Sequence, residues 1–154
     1  MPDVVDPATR SRMMSGIRGK DTRLEMIVRR GLHRRGLRYR LHVREVPGKP
    51  DLVFPRFGAV VFANGCFWHG HDCHLFRMPG TRTEFWTSKI TRNRMRDGQV
   101  REELLAGGWR NLTIWECALK GRCRIPEDQV LDTAAAWIRG TNDQDSIGEI
   151  RGSS

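Results

Sequence analysis

Ten consecutive residues, Gly65-Cys66-Phe67-Trp68-His69-Gly70-His71-Asp72-Cys73-His74, hold two thiols, three imidazoles and two large aromatic rings. Thiolate and imidazole are ligands of tetrahedral zinc, and several within one loop can reach a single ion. Cys66, His71 and Cys73 are the candidates from this loop, so a fourth ligand has to come from elsewhere. Cys117, just after the apolar segment ending at Trp115, is one candidate and Cys123 is its rival. The alternative is a set of buried thiols and scattered histidines with no ion. A filled four-ligand site would brace the loop that carries Phe67 and Trp68. Rings beside such a site are badly placed for a core but well placed to stack on bases or wedge between them. If the other ligands fill the zinc positions, His69 is free for proton transfer near neutral pH. Asp72 and His74 read as solvated residues or as neighbours that support the ligands from outside.

Three carboxylates accompany this loop. Asp51 follows Pro50 at the head of a short apolar run. Phosphodiester cleavage needs a hard cation to offset charge in the transition state, and a carboxylate at a sheet edge can hold one. Taken alone, an Asp closing a turn explains Pro50-Asp51 as well. Glu25 has the capping-box spacing from Thr22, which is its cheaper explanation. Asp97 has no such explanation. It interrupts a stripe of Trp86, Ile90, Asn93, Asp97, Val100 and Leu104 that recurs at steps of four and three, and a polar group on an inward face is costly unless bonded. Carboxylate, thiol–imidazole cluster and aromatic pair together point to an enzyme that cuts DNA.

The elements that must position these groups follow from periodicity. Residues 1–20 form a basic arm with Arg10, Arg12, Arg18 and Lys20 around Met13, Met14 and Ile17, expected to order on DNA or to fray as an ordinary terminus. Leu24, Ile27, Val28 and Leu32 predict a helix from Asp21 that Gly36 ends. Strands are expected at Arg38–His42, at Asp51–Phe54 after the turn Pro47-Gly48-Lys49-Pro50, and at Ala59–Ala63. A long helix capped by Thr81 or Thr83 runs to about Leu105, followed by a strand at Arg110–Trp115. A last helix starts at Pro126, with Glu127 and Asp128 in its first turn, and stops before Gly140. Residues 141–154, rich in Gly, Ser and Asp, read as a disordered tail. The sum is a mixed α/β domain over 21–140 with one central sheet.

The chain has 154 residues, about one domain. Lys and Arg number 27 against 18 Asp and Glu, a net charge of +9. Most of the excess is arginine, whose planar fork suits phosphate and guanine, so a polyanionic partner is expected over a merely cationic surface. No apolar run approaches the roughly 20 residues a bilayer needs, and no signal-peptide core is visible. A cytoplasmic location without membrane association is expected, where four cysteines serve as thiols or ligands rather than disulfides.

Several separated strings closely resemble the very-short-patch (Vsr) mismatch repair endonucleases. They are Thr9-Arg10-Ser11, Pro47-Gly48-Lys49-Pro50-Asp51, Gly65-Cys66-Phe67-Trp68-His69, Arg82-Thr83-Glu84-Phe85-Trp86 and Trp115-Glu116-Cys117-Ala118-Leu119, in the family's order and spanning about Asp3 to Gly140. The resemblance implies a restriction-endonuclease-like mixed central sheet flanked by helices, with a structural zinc site. It implies nicking of double-stranded DNA 5′ to the thymine of a T:G mismatch, the product of 5-methylcytosine deamination. Carried over by residue, Asp51 becomes the central Mg²⁺ ligand and the Ala63 carbonyl a further one. Glu25, His69 and Asp97 hold metal-bound waters and the reacting phosphate. Cys66, His71, Cys73 and Cys117 bind zinc. Phe67, Trp68 and Trp86 form a wedge from the major-groove side, Met14 opposes it from the minor groove, and Lys89 and Asn93 face the bases. The implied setting is a bacterial cytoplasm, at the nucleoid when acting, as a monomer working with mismatch-repair proteins of the MutL type.

One departure matters. The family's best-known pattern has Thr-His where this chain has Ala63-Asn64. A backbone ligand survives the first change, but asparagine cannot take a proton at neutral pH, although it can orient a water. Either His69 does that work alone, or this member is slower, or its substrate differs. Broader mismatch or site specificity is therefore the alternative within enzymes, and a catalytically weak, zinc-braced DNA-binding module is the alternative outside them. The presence of Asp51, Glu25, His69 and Asp97 together argues against the module.

Overall fold

The computed structural model describes residues 23–140 and 146–153. The basic arm, Met14 and the capping residue Thr22 lie outside that range. Helix α1 spans Arg23–Arg34 and leads through a long loop to strand β1, Leu52–Phe54. A short 3-10 turn separates β1 from β2, Ala59–Asn64. Helix α2, Thr83–Ala106, returns the chain to β3, Arg110–Trp115, and helix α3, Glu127–Arg139, returns it to β4, Ile147–Ile150. The sheet has the order β1-β2-β3-β4. β1 pairs antiparallel with β2, whereas β2–β3 and β3–β4 are parallel. Parallel neighbours need a crossover, and α2 and α3 supply the two.

Side-chain alternation divides the core into two layers. Leu52, Phe54, Ala59, Val61, Leu112 and Ile114 face α1 and α3, packing against Val28, Leu32, Ala134 and Ile138. The intervening Val53 and Val60 face the other way, toward Leu104 and Val100 of α2. α2 is thus the sole cover, among the described helices, for the second face, and buries only Ile90 and Leu104 on its 24 residues. Val100, Asn93 and Asp97 on the same helix are half-buried, and most of its remaining residues are exposed.

Three expectations are corrected. Arg38–His42 is not a strand; only Arg40 bridges to Val53, through backbone bonds of 2.8 and 3.0 Å. His42 has φ of 55°, which turns the backbone out of the extended region and ends the pairing. Neither Thr81 nor Thr83 caps α2. Arg82 occupies the N-cap in the left-handed region with no side-chain cap bond, and the Thr83 hydroxyl donates back to the Pro79 carbonyl at 2.9 Å. The tail, finally, contains a strand. β4 adds to β3 in the register Asn111↔Ile147 to Ile114↔Ile150, with Ile150 buried. Local composition hid it because pairing and burial, not intrinsic preference, stabilise a short strand.

Candidate active site and metal cluster

The register of β1 on β2 sets the first centre. Leu52 pairs with Val61, so Asp51, one residue before β1, reaches past the pair to Ala63, whose N–H donates to Asp51 Oδ2 at 2.7 Å. Glu25 comes from the first turn of α1 and is 1% exposed. Arg29, one turn later, lies 3.4 Å from the Glu25 carboxylate. Burial pushes the Asp51 carboxyl up to about 7, against the pull of the Ala63 N–H, and the nearby Glu25 raises it further. Two carboxylates crowded in this way are a site that a cation would relieve.

His69 and Asp97 form the opposite wall. Nδ1 of His69 and Oδ2 of Asp97 are 2.6 Å apart, joining the loop after β2 to the middle of α2. A carboxylate at Nδ1 keeps the proton there and leaves Nε2 as the acceptor. Asn93, the other polar interruption of the α2 stripe, donates from Nδ2 to the Trp68 carbonyl at 2.7 Å. Both interruptions therefore bond the same loop to α2. Asn64, buried at the end of β2, lines the cleft with Asp51, Ala63, Trp68, His69 and Asp97; its volume is about 950 Å³.

The second centre lies on the far side of the same loop. Ligand atoms of Cys66, His71, Cys73 and Cys117 all lie within 4.8 Å of one another. His71 Nδ1 is 3.5 Å from Cys66 Sγ and 3.7 Å from Cys117 Sγ. Of the two rivals for the fourth place, Cys117 joins the cluster and Cys123 does not. The parallel register explains the choice: Asn64 pairs with Trp115, so the residues just beyond each strand meet. The Cys117 N–H also donates to Cys66 Sγ at 3.3 Å. Burial raises the Cys66 and Cys117 thiols and lowers the His71 imidazole, so these three stay protonated or neutral unless a cation draws the protons off.

Packing fixes the loop between the centres. The His71 ring stacks on Trp115 at 3.9 Å between centroids, with 6° between planes. Gly70 has φ of 59°, and a Cβ there would meet Ile90 Cγ2 at 2.6 Å, so glycine lets the loop press onto α2. Glu116 was not singled out from sequence beyond its place in a motif. Its Oε1 accepts the Cys66 N–H at 3.2 Å, tying β3 to the start of the loop. Of the two readings of His74, the structure excludes the solvated one: it is half-buried against Gly121, where a Cβ would lie 2.3 Å from its Nε2. Asp72 is exposed as expected.

Beside both centres stands an aromatic patch. Phe67 contacts Trp68 at 5.2 Å, Trp86 at 5.4 Å and Phe76 at 6.0 Å between centroids, and Trp68 contacts Trp86 at 5.8 Å. The three rings expected to form a wedge are thus brought together, with Phe76 as an unforeseen support. Phe85, 41% exposed, extends the patch, with the Arg82 guanidinium 4.3 Å above its ring. Lys89 is half-buried on the same helix.

A mixed sheet carrying a carboxylate cleft, a four-ligand cluster and an aromatic patch on one basic chain defines a nucleic-acid hydrolase. Comparison with known sequences makes this specific. The family described as DNA mismatch endonuclease Vsr matches residues 2–75. The chain is 43% identical over 140 residues to the DNA mismatch endonuclease Vsr of Escherichia coli, covering 91% of this chain and 90% of that protein. It is 44% identical to the Type II nicking enzyme V.XorIIP of Xanthomonas oryzae, over 77% of this chain and 88% of that one. For V.NmeAIP of Neisseria meningitidis, another Type II nicking enzyme, the figures are 40%, 80% and 90%. The chain belongs to the Vsr family of DNA endonucleases.

Proposed function

We propose that this endonuclease nicks one strand of duplex DNA 5′ to the thymine of a T:G mismatch, in a Mg²⁺-dependent reaction on a restriction-endonuclease-like fold. The observation that carries the reading is the Asp51 carboxylate, crowded by buried Glu25, in a cleft that Phe67 and Trp68 of the aromatic patch also line. The names of the relatives, a mismatch endonuclease and nicking enzymes, support single-strand cleavage.

Asp51 and the Ala63 carbonyl would hold Mg²⁺, which when bound offsets charge on the reacting phosphate. The raised Asp51 carboxyl fits this, because a cation is what lets it ionise beside Glu25. Glu25 positions water at the edge of the cleft. His69, oriented by Asp97, takes a proton at Nε2. Asn64 orients a water but accepts no proton. Phe67, Trp68 and Trp86 enter the stack where pairing is already poor, which costs a few kcal/mol in intact duplex and less at a mismatch. Lys89 and Asn93 face the bases, and Met14 of the arm opposes from the other groove.

Cys66, His71, Cys73 and Cys117 would bind zinc. Three thiols and an imidazole suit that ion, and four protein donors leave no open position, so its role is structural. No helix among the described residues is long and apolar enough to cross a membrane; action on DNA in the cytoplasm is part of the proposal. A nicking assay on T:G and matched duplexes, with and without Mg²⁺, tests the proposal. Cleavage confined to the T:G strand and to Mg²⁺ supports it; equal cleavage of both duplexes, or none, overturns it. Asn64 favours one second reading, a broader mismatch range, which a panel of mismatches would reveal.

A further inference from the structure

We propose that the segment from β4 to Ser153 is the outer shell of the metal cluster, with Glu149 orienting the His71 ring as a ligand. The inference rests on the zinc reading above and extends it to residues that have no place in the ligand set.

His71 uses Nδ1 toward the two sulfurs, which leaves Nε2 on the other side of the ring. That nitrogen is buried and makes no hydrogen bond within the described residues, while Glu149 Oε1 stands 3.5 Å away. A metal-bound histidine ordinarily donates its second N–H to a carboxylate, which fixes both tautomer and ring rotation. Trp115 already fixes the plane of the ring by stacking. Rotation within that plane is what remains, and Glu149 is placed to set it. Glu149 reaches this point because it pairs with Thr113, the residue two before Trp115 on the neighbouring strand.

Two further contacts make the segment a closure rather than a single neighbour. The Gly152 N–H donates to Cys117 Sγ at 3.3 Å, next to the bond from Cys117 N–H to Cys66 Sγ. A backbone donor aimed at each of the two sulfurs fixes its position in the cluster. Gly152 cannot be enlarged in place, since a Cβ would lie 2.5 Å from the Cys117 carbonyl and 2.7 Å from that of Cys123, both backbone atoms. Arg151 donates from Nη2 to the Asp72 carbonyl at 2.6 Å, clamping the loop between two ligands. The Ser153 N–H donates to the Cys123 carbonyl at 2.8 Å. The last strand and the three residues after it thus reach the surroundings of His71, Cys73 and Cys117 without contributing a ligand.

The test is zinc release to a chromophoric chelator from full-length protein: wild type, Glu149→Ala, Glu149→Gln, Gly152→Ala and Cys123→Ser. Outer-shell changes typically weaken metal binding about 10- to 100-fold, and half-exposed Glu149 belongs at the lower end, near tenfold faster release. Glu149→Gln should fall between wild type and Glu149→Ala, because its amide oxygen still accepts a bond. Gly152→Ala should release zinc faster by displacing the segment, and Cys123→Ser should match wild type. Release from both Glu149→Ala and Gly152→Ala at the wild-type rate would overturn the inference. Wild type purified with no zinc would instead overturn the zinc reading, and the inference with it.

Discussion

The carboxylate cleft and the thiol–imidazole cluster hang from neighbouring ends of β2 and β3, and desolvation acts on both in the same direction. It raises Asp51 in one and Cys66 and Cys117 in the other. Each therefore favours a cation that lets its ligands ionise. What differs is closure. Cys66 and Cys117 are almost fully buried, their sulfurs already take backbone N–H bonds, and four donors stand within 4.8 Å of one another. Asp51 has one N–H bond and faces a cleft of about 950 Å³. Space beside the ligands, not the number of charges, separates a site for chemistry from a site for support.

The sharpest way to separate the two is to disable each in turn. Asp51→Ala should lower nicking by about 10³-fold or more, since it removes transition-state charge stabilisation worth several kcal/mol. Zinc content and mismatch binding should stay near wild type; substantial cleavage in Mg²⁺ by the purified variant sinks the assignment. His69→Ala should cost about 10²–10⁴-fold in single-turnover cleavage, with little change in DNA affinity. Asn64→His should be tolerated and raise the rate. Retention of a tenth of wild-type cleavage by His69→Ala would leave His69 only a positioning part.

On the other side of the comparison, Cys117→Ser should lose zinc and lower Tm by roughly 10 °C, because metal binding contributes folding free energy. Cys123→Ser should do neither, and metal analysis with thermal melts checks both. Trp68→Ala should reduce discrimination between T:G and matched duplexes by about tenfold, within the 1–3 kcal/mol range of base–aromatic stacking. Equal loss on both duplexes would make Trp68 a packing residue. The smallest effect is on stability. Asp51 titrates near 7 when folded against about 3.9 unfolded. The folded chain therefore holds its proton longer, and stability in Mg²⁺-free buffer should fall as pH rises from about 4 through 7, then level off. Asp51→Asn should flatten that slope, and melts across the range measure it.

Much of this was legible because the signals were periodic. Apolar runs at Leu52–Phe54 and Ala59–Ala63 and the alternation of Leu112 and Ile114 mark strands, and the two polar interruptions of the α2 stripe, Asn93 and Asp97, mark a face bonded to something. Spacing alone left Cys117 and Cys123 as rivals, because the choice depends on the register of β2 against β3. β4 was illegible for the same reason: its four residues gain their stability from β3 and from Trp137, whose indole lies against Gly148. Glu116 was missed because an acidic residue at a strand end carries no periodic mark. The Arg38–His42 segment misled in the other direction, its pattern cut short by one residue in the left-handed region.

The sparse attachment of α2 has a consequence for how the molecule opens. That helix buries only two residues, so few contacts oppose its local detachment. Its flanks, however, end in Cys66 and Cys117, 51 positions apart in sequence and joined at the cluster. A cation held there ties the two ends of a loop that contains the whole helix. By chain-entropy arithmetic such a tie removes about 4 kcal/mol of the freedom an opened segment would gain. With a cation in place, any opening of the helix would leave its two ends tethered, so its return would be a short-range event.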